Sequence, residues 1–148
     1  MRGEKIAQKE LSLYAESMRK YWHGSHTTHR LMYHIVWLPK YRKKVLEGSV
    51  KKRVEKVLHE IADVNGWEIQ ELNVQLDHVH LMIQIPPSIS VSKVVQFLKG
   101  TSSKIIREEL PQQIKKMLRG KDFWAEGYFS ETVGHVTEET IRNYIKNQ

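Results

Sequence analysis

The segment from Asp77 to Ile85, DHVHLMIQI, constrains the fold more than any other part of this chain. Side chains along a β-strand point alternately to opposite faces of the sheet, so residues two apart share a face. One alternate set is entirely apolar and must face a core: Val79, Leu81, Ile83 and Ile85. The other set begins with His78 and His80, which therefore lie side by side on the opposite face.

Hydrophobic periodicity along the rest of the chain predicts the other strands of this sheet and its helices. Strands are expected at residues 30–38, 67–76, 78–85 and 127–133, and helices at residues 49–64 and 90–109. Gly100 lies inside the second helix and is expected to bend or split it, because glycine weakens a helix interior. A further helix is expected at the end of the sequence, with Thr137 as its cap.

The order of these elements, β-α-β-β-α-β followed by a helix, predicts an α+β fold of the ferredoxin-like (RRM-like) type. In this split βαβ sandwich, two helices cover one face of an antiparallel four-stranded sheet, and the C-terminal helix is an addition to it. The second face is expected to stay open, as it does in many proteins that bind nucleic acids.

The first 25 residues differ in pattern from the rest of the 148-residue chain. Apolar residues at helical spacing predict a helix over residues 4–22, and a polar stretch follows it. We therefore divide the chain into an N-terminal helical extension and linker, residues 1–25, and one main domain, residues 26–148.

Composition limits the functions that such a chain can have. The net charge of +7 favours polyanionic partners, because each phosphate that a lysine or arginine neutralises releases bound counterions. Cysteine is absent, which excludes disulfides, thiolate metal sites and cysteine nucleophiles. The sequence holds no apolar run of transmembrane length and no apolar N-terminal leader, so we expect a cytoplasmic protein that does not associate with membranes.

The C-terminal segment TEETIRNYIKNQ offers polar partners for the histidine pair. Tyr144 and Gln148 are four residues apart and lie on one face of a helix, one turn from each other. Ile141 and Ile145 form the adjacent stripe, which can anchor the helix to a core. Two imidazoles alone leave a metal ion under-coordinated, and a glutamine carbonyl oxygen can add a third ligand. Alternatively, the histidines bind nothing, and Tyr144 belongs to the buried face of the helix.

Four segments form a set that can be compared with known families. They are YHIVWLPKYR at residues 33–42, DHVHL at residues 77–81, FLKGTSS at residues 97–103, and GYF at residues 127–129 with VG at 133–134 and IRNYIKNQ at 141–148. Together, and in this order over about residues 27–148, they resemble the single-tyrosine HUH transposases of small bacterial and archaeal insertion sequences of the 200/605 type.

This resemblance implies a metal-dependent endonuclease and strand transferase that acts on single-stranded DNA. It implies that Tyr144 attacks the scissile phosphate to form a 5′-phosphotyrosine. It implies that His78, His80 and Gln148 hold Mg²⁺ or Mn²⁺ beside it. It also implies DNA hairpins at element ends as substrates and a homodimer with composite active sites, in which the tyrosine helix of one subunit packs against the histidine pair of the other.

Two groups of residues are candidates for DNA contacts. A basic cluster follows the first predicted strand, where cationic side chains can contact phosphates and an aromatic ring can stack on a base: Lys40, Tyr41, Arg42, Lys43 and Lys44. The second predicted helix adds Lys99, Lys104 and Arg107. An exposed turn after a strand is an equally good interpretation of the first group.

Two other functions fit the same residues. One is a non-enzymatic nucleic-acid-binding module on a ferredoxin-like fold, which would use the basic residues and leave the histidine pair without a role. The other is a domesticated HUH endonuclease that nicks repeated chromosomal hairpins and shares every catalytic residue with a mobile transposase. Binding that survives Tyr144→Phe and needs no metal would indicate the first, and the genomic neighbourhood would indicate the second.

Overall fold

The computed structural model describes residues 31–120, 122–134 and 142–147, and the backbone of residues 22–23 and 28–29. The helix predicted over residues 4–22 lies outside the described residues except for its last position, and Thr137 and Gln148 also lie outside them. Trp22, predicted to end that helix, is instead part of a short strand, β1 (Trp22–His23), which pairs antiparallel with β2 (Thr28–His29). The two ends of the polar stretch are therefore paired as strands.

A four-stranded antiparallel sheet forms the centre of the fold. Its strands are β3 (Met32–Trp37), β4 (Glu68–Gln75), β5 (His78–Gln84) and β6 (Phe129–Thr132). They lie in the spatial order β4-β5-β3-β6, so that β5 and β3 are central. Because β5 pairs antiparallel with both β3 and β4, this is the split βαβ arrangement, and the ferredoxin-like fold predicted from the sequence is confirmed.

Two long helices, α1 (Gly48–Asn65) and α2 (Val91–Glu109), cover one face of the sheet, and the short α3 (Pro111–Met117) follows. α2 continues through Gly100 as one helix, so the predicted bend or split is wrong. Burial of its apolar stripe along the whole length outweighs the cost of one glycine, which is about 1 kcal/mol. None of the helices in the described part of the chain has the length and apolar character needed to cross a membrane.

The main core lies between the sheet and these helices. β5 and the residue that follows it contribute the apolar set that the sequence predicted, and all of its members are fully buried: Val79, Leu81, Ile83 and Ile85. The facing helices contribute Val54, Leu58, Val94, Leu98 and Ile106. Burying one such side chain contributes roughly 1.5–3 kcal/mol. This face therefore fixes the register of β5, and with it the direction in which the histidines point.

The second face of the sheet is partly covered. Met32, Met82 and Ile145 are buried there as a small separate cluster. Ile145 belongs to a helical segment, residues 142–146, which we call α4. As the sequence predicted, this isoleucine anchors the C-terminal helix, but the expectation of an open face is wrong. Met32 and Met82 project apolar surface to this side of the sheet, and α4 removes it from water.

Replacing each of two helix glycines with alanine is expected to change the free energy of unfolding in opposite directions. Gly66 ends α1 in the left-handed region at φ 74°, so Gly66→Ala should lower the free energy of unfolding by about 1 kcal/mol. Gly100 has open space where a Cβ would lie, so Gly100→Ala should raise it by about 0.5–1 kcal/mol. Urea unfolding followed by circular dichroism measures both changes. A loss of stability in Gly100→Ala would contradict an unstrained, continuous α2.

Candidate active site

The histidine pair lies where the strand alternation predicted it. His78 and His80 project from β5 to the face opposite the main core, with ring centroids 4.6 Å apart and ring planes at 77°. His80 is buried, with 7% of its surface exposed, whereas 24% of the His78 side chain is exposed. One imidazole is thus enclosed by protein, and its neighbour can be reached from solvent.

The orientation of His78 is set by Asp77. Oδ1 of Asp77 lies 2.7 Å from Nδ1 of His78, and Arg42 donates from Nε to Oδ2 of Asp77 at 3.1 Å. The hydrogen bond from His78, assisted by the Arg42 guanidinium, holds the pKa of the Asp77 carboxyl below its usual range. With Nδ1 engaged by a carboxylate, Nε2 of His78 remains for a ligand.

His80 is held by a different contact. Its Nδ1 lies 3.4 Å from Nε2 of His34 on β3, and Nδ1 of His34 lies 3.0 Å from Oε1 of Glu131 on β6. Burial, together with the nearby His78 and His34, lowers the pKa of His80 from 6.5 to about 4. His80 is therefore neutral near pH 7, which is the form of imidazole that binds a metal ion.

Tyr144 lies beside the histidine pair of its own chain. Its ring centroid is 5.8 Å from that of His80, with the ring planes at 73°. The residue is 58% exposed, so its ring is accessible from solvent. The buried position on α4 belongs instead to Ile145, which is the next residue and is fully enclosed.

Contacts on both sides of the tyrosine fix α4 on the sheet. Ile145 packs into the small cluster described above, and Nδ2 of Asn73 on β4 donates to its backbone carbonyl. Glu71, also on β4, forms an ion pair with Lys146, with 3.1 Å between Oε1 and Nζ. The same oxygen lies 3.6 Å from Nε of Arg142. Because β4 and β5 are neighbours, these contacts determine how close the tyrosine lies to the histidine pair.

The two histidines could supply part of a metal site. Nδ1 of His78 and Nδ1 of His80 are both engaged, and no described residue hydrogen-bonds to Nε2 of either ring. Within residues 31–120, 122–134 and 142–147, no three His, Cys, Asp or Glu side chains are grouped as metal ligands would be. A metal ion bound here therefore needs a ligand of another kind or from elsewhere, and the predicted Gln148 lies outside the described residues.

The predicted basic cluster begins with a strained turn next to Asp77. Lys40–Arg42 forms a single 3-10 turn in which Tyr41 and Arg42 have φ of 60° and 52°, a region that non-glycine residues rarely occupy. Tyr41 is 74% exposed, and Lys44 is exposed as well. The turn thus presents an aromatic ring to solvent close to the carboxylate that orients His78.

Two other lysines of this cluster make contacts within the chain. Nζ of Lys40 lies 3.5 Å from Oδ2 of Asp122, and Nζ of Lys43 donates to the Met117 carbonyl at 3.3 Å. These contacts join the basic cluster to the end of α3 and to the segment that follows it. These two lysines therefore have a structural role in addition to the DNA contact predicted for them.

The helix residues proposed for DNA contact also differ in their surroundings. Lys99 donates from Nζ to the carbonyls of Ala125 and Gly127 at 2.6 and 2.9 Å, and burial lowers its pKa. Arg107 donates from Nη1 to the Gly120 carbonyl at 2.8 Å. Lys104 is exposed. The geometry thus leaves Lys104 directed to the surface and uses Lys99 and Arg107 to hold the loops before β6.

Comparison with known proteins places this geometry in a family. Residues 27–148 match the model of the family described as "Transposase IS200 like". The chain is 36% identical to the transposase for insertion sequence element IS200 of Salmonella typhimurium over 124 residues, covering 84% of this chain and 80% of that protein. It is 35% identical to the ISDra2 transposase TnpA of Deinococcus radiodurans over 125 residues, covering 84% and 89%. The chain belongs to the IS200-like transposase family.

One solved structure agrees with this membership, and a second shares the fold. A protein of Deinococcus radiodurans R1 assigned as a transposase superposes with a TM-score of 0.69 at 32% identity, covering 86% of this chain and 97% of that one. A REP-associated tyrosine transposase bound to a REP hairpin superposes with a TM-score of 0.56 over 84% of this chain and 67% of that one. At 12% identity, the second comparison shows the shared fold alone.

Sequence reasoning missed some polar residues around the histidine pair of this IS200-like transposase. His34 contacts His80, Glu131 contacts His34, and Asn73 holds α4. For His34 a signal was present: Ile35 is apolar, and the alternation along β3 places His34 on the face opposite it. Glu131 and Asn73 lie in strands without a clear apolar alternation, so nothing in the sequence singled them out.

Replacing Ile145 should release the tyrosine helix of this IS200-like transposase. Ile145→Ala removes most of a fully buried side chain, a change that typically costs about 2–5 kcal/mol. Here it should weaken the packing of α4 on the sheet. Hydrogen–deuterium exchange should become faster at residues 142–147 while β3 and β5 stay protected. Val64→Ala, at a position that is 87% exposed, is the matched control and should change neither region. Unchanged exchange in Ile145→Ala would show that α4 is held by other contacts.

His80 should stay neutral in the metal-free protein until the pH falls to about 4. In the unfolded chain the same group takes up a proton near its ordinary pKa of 6.5. The unfolded state therefore binds more protons between these two values, and the free energy of unfolding should fall as the pH is lowered through this window. Nitrogen-15 NMR titration of the His80 ring measures the pKa directly. A midpoint near the ordinary value would contradict the enclosed site.

Proposed function

We propose that this IS200-like transposase cleaves and rejoins single-stranded DNA at insertion-sequence ends through a 5′-phosphotyrosine intermediate. The observation that carries the proposal is the position of the exposed Tyr144 ring, 5.8 Å from the ring of the buried His80. An accessible phenol beside this histidine pair suits nucleophilic attack on a phosphate, because the imidazoles can hold a cation that offsets the charge of a phenolate. A module that only binds DNA would have no use for this arrangement.

In the proposed cleavage step, Oη of Tyr144 attacks the scissile phosphorus and forms a new P–O bond. The bond between phosphorus and the 3′ oxygen breaks, the phenol loses its proton, and the departing 3′ oxygen gains one. The DNA 5′ end stays joined to the tyrosine as a phosphodiester. A 3′-OH can then attack this linkage in the reverse sense and reseal a strand, so no nucleotide hydrolysis is needed.

His78 and His80 are the proposed holders of a divalent ion, Mg²⁺ or Mn²⁺, with Gln148 as the expected third ligand. Such an ion supplies Lewis-acid stabilisation of charge on the phosphoryl oxygens when bound. The chain itself orients the two imidazole rings, because Asp77 and His34 engage the Nδ1 atoms. Both Nε2 atoms are then available to bind the ion. Mg²⁺ prefers oxygen ligands, so Mn²⁺ is the better probe of a site with two imidazoles.

The proposed substrate is a single strand with hairpins near the element ends. Tyr41 offers an exposed ring on which a base can stack, and Lys44 and Lys104 are exposed cations for the phosphate backbone. The net charge of +7 assists this binding at a distance. The REP-associated transposase, which shares this fold, was solved with a REP hairpin, and we extend a hairpin substrate to this chain as part of the proposal.

A homodimer is also part of the proposal. β6 is an edge strand of the sheet, and Phe129 within it is 53% exposed, so a second copy can pair with this edge. The composite site implied by the resemblance is not required by this geometry, since one chain supplies both Tyr144 and His80.

Mixing Tyr144→Phe subunits with His80→Ala subunits distinguishes composite sites from sites built from one chain. A mixed dimer can be active only if the tyrosine of one subunit works with the histidine pair of the other. An inactive mixture indicates that each site is built from one chain.

Incubation with labelled oligonucleotides from the element ends tests the proposed chemistry. With Mn²⁺ and single-stranded DNA, we expect a protein–DNA adduct that survives denaturation, and we expect none with the double-stranded form. EDTA, Tyr144→Phe and His80→Ala should each abolish the adduct, because each removes the ion or the nucleophile. Tyr128→Phe, at a partly exposed tyrosine near β6, is the matched control and should keep it.

Two results would overturn this proposal. An adduct that persists in Tyr144→Phe would place the nucleophile on another residue. Tight binding of the same DNA without any adduct, in the presence or absence of Mn²⁺, would indicate the non-enzymatic nucleic-acid-binding module instead.

A further inference from the structure

His34 is a buried histidine that contacts His80 and takes no direct part in the proposed cleavage step. In the sheet register it lies opposite Met82 of β5 on one side and opposite Glu131 of β6 on the other. Directly opposed residues in a sheet share a face, so His34 lies on the same face as the histidine pair. Only 8% of its surface is exposed. A polar side chain buried to this extent needs partners, and its two ring nitrogens have one each.

The contact between His34 and His80 has the geometry of an in-plane hydrogen bond. The two nitrogens are 3.4 Å apart, the ring centroids are 5.6 Å apart, and the ring planes differ by 15°. The centroid separation nearly equals the distance between the nitrogens plus the radii of the two rings. The nitrogens therefore face each other along the line that joins the rings, as a donor and an acceptor do, and the rings do not stack face to face.

The chemistry of the groups assigns the protons when both imidazoles are neutral. A Glu131 carboxylate can only accept, so Nδ1 of His34 carries the hydrogen and donates to it. Nε2 of His34 is then an acceptor, and Nδ1 of His80 must carry the hydrogen that it receives. Nε2 of His80 is left with its lone pair, which makes it the nitrogen that can bind a metal ion.

We propose that His34 and Glu131 are positioning residues that fix the tautomer and the ring orientation of His80 for metal binding. This inference rests on the proposed function and extends the site to β3 and β6. Each histidine of the pair is then oriented by a carboxylate, directly for His78 through Asp77 and by way of His34 for His80. Partners of this kind typically change metal affinity by about 10- to 100-fold when they are removed.

Titration of the metal-free full chain with Mn²⁺, followed by electron paramagnetic resonance of the free ion, tests the inference. Glu131→Ala and His34→Ala should each weaken Mn²⁺ binding by about 10- to 100-fold. Glu131→Gln should bind closer to wild type, because its amide oxygen can still accept the hydrogen bond from His34. Glu108→Ala and His59→Ala, at exposed positions of α2 and α1, are the matched controls and should bind as wild type.

Nitrogen-15 NMR of the imidazole rings gives a second readout that does not depend on activity or on metal. Wild-type His80 should be a single tautomer with the hydrogen on Nδ1. In Glu131→Ala and His34→Ala the same ring should become a mixture of both tautomers. Because Glu131 is partly exposed on an edge strand, its alanine variant keeps the test valid even if removal of the buried His34 prevents folding.

The outcomes separate this inference from the function on which it rests. Wild-type protein that shows no saturable Mn²⁺ binding would overturn the proposed metal site itself. Wild-type binding that Glu131→Ala leaves unchanged would overturn the positioning role alone. Binding by Glu131→Gln that is as weak as that of Glu131→Ala would show that the hydrogen bond is not what Glu131 contributes.

Discussion

Burial of β5 on both of its faces is the constraint on which this structure depends. One face places Val79, Leu81 and Ile83 in the main core, and the other places Met82 under α4. A slip of one residue along the strand would exchange the two faces and move the histidines into the apolar core, at a cost of several buried side chains. The hydrophobic burial that defines the fold therefore also determines where the histidine pair lies.

The parts of the molecule that follow from local periodicity could be predicted from the sequence, namely the sheet, the helices, the face of the histidine pair and the Ile145 anchor. The contacts of His80 could not, because they depend on the register between strands that are far apart in the chain. His34 and His80 are separated by 46 positions, and His34 and Glu131 by 97. Alternation within one strand fixes a face, but it does not specify which residue on the next strand lies opposite.

The contacts of charged side chains could not be predicted from the sequence either. A lysine in a helix is identified as cationic by its sequence, but the partner of its ammonium group depends on which backbone carbonyls the fold brings within reach. Lys99 illustrates this, because the loop before β6 needs donors for the carbonyls of Ala125 and Gly127, and Lys99 supplies both. The net charge therefore indicates a class of partner without indicating which cations contact it.

The strained turn after β3 connects the exposed surface to the histidine pair. Left-handed backbone at Tyr41 and Arg42 costs about 1–3 kcal/mol for each residue and persists only where surrounding contacts impose it. Here the Lys40 backbone N–H donates to the Phe123 carbonyl at 3.0 Å, and Arg42 bonds to the carboxylate that orients His78. The turn thus exposes the ring of Tyr41 to solvent and brings the guanidinium of Arg42 to Asp77. The strained backbone therefore holds Arg42 where it can bond to Asp77, the carboxylate that engages Nδ1 of His78.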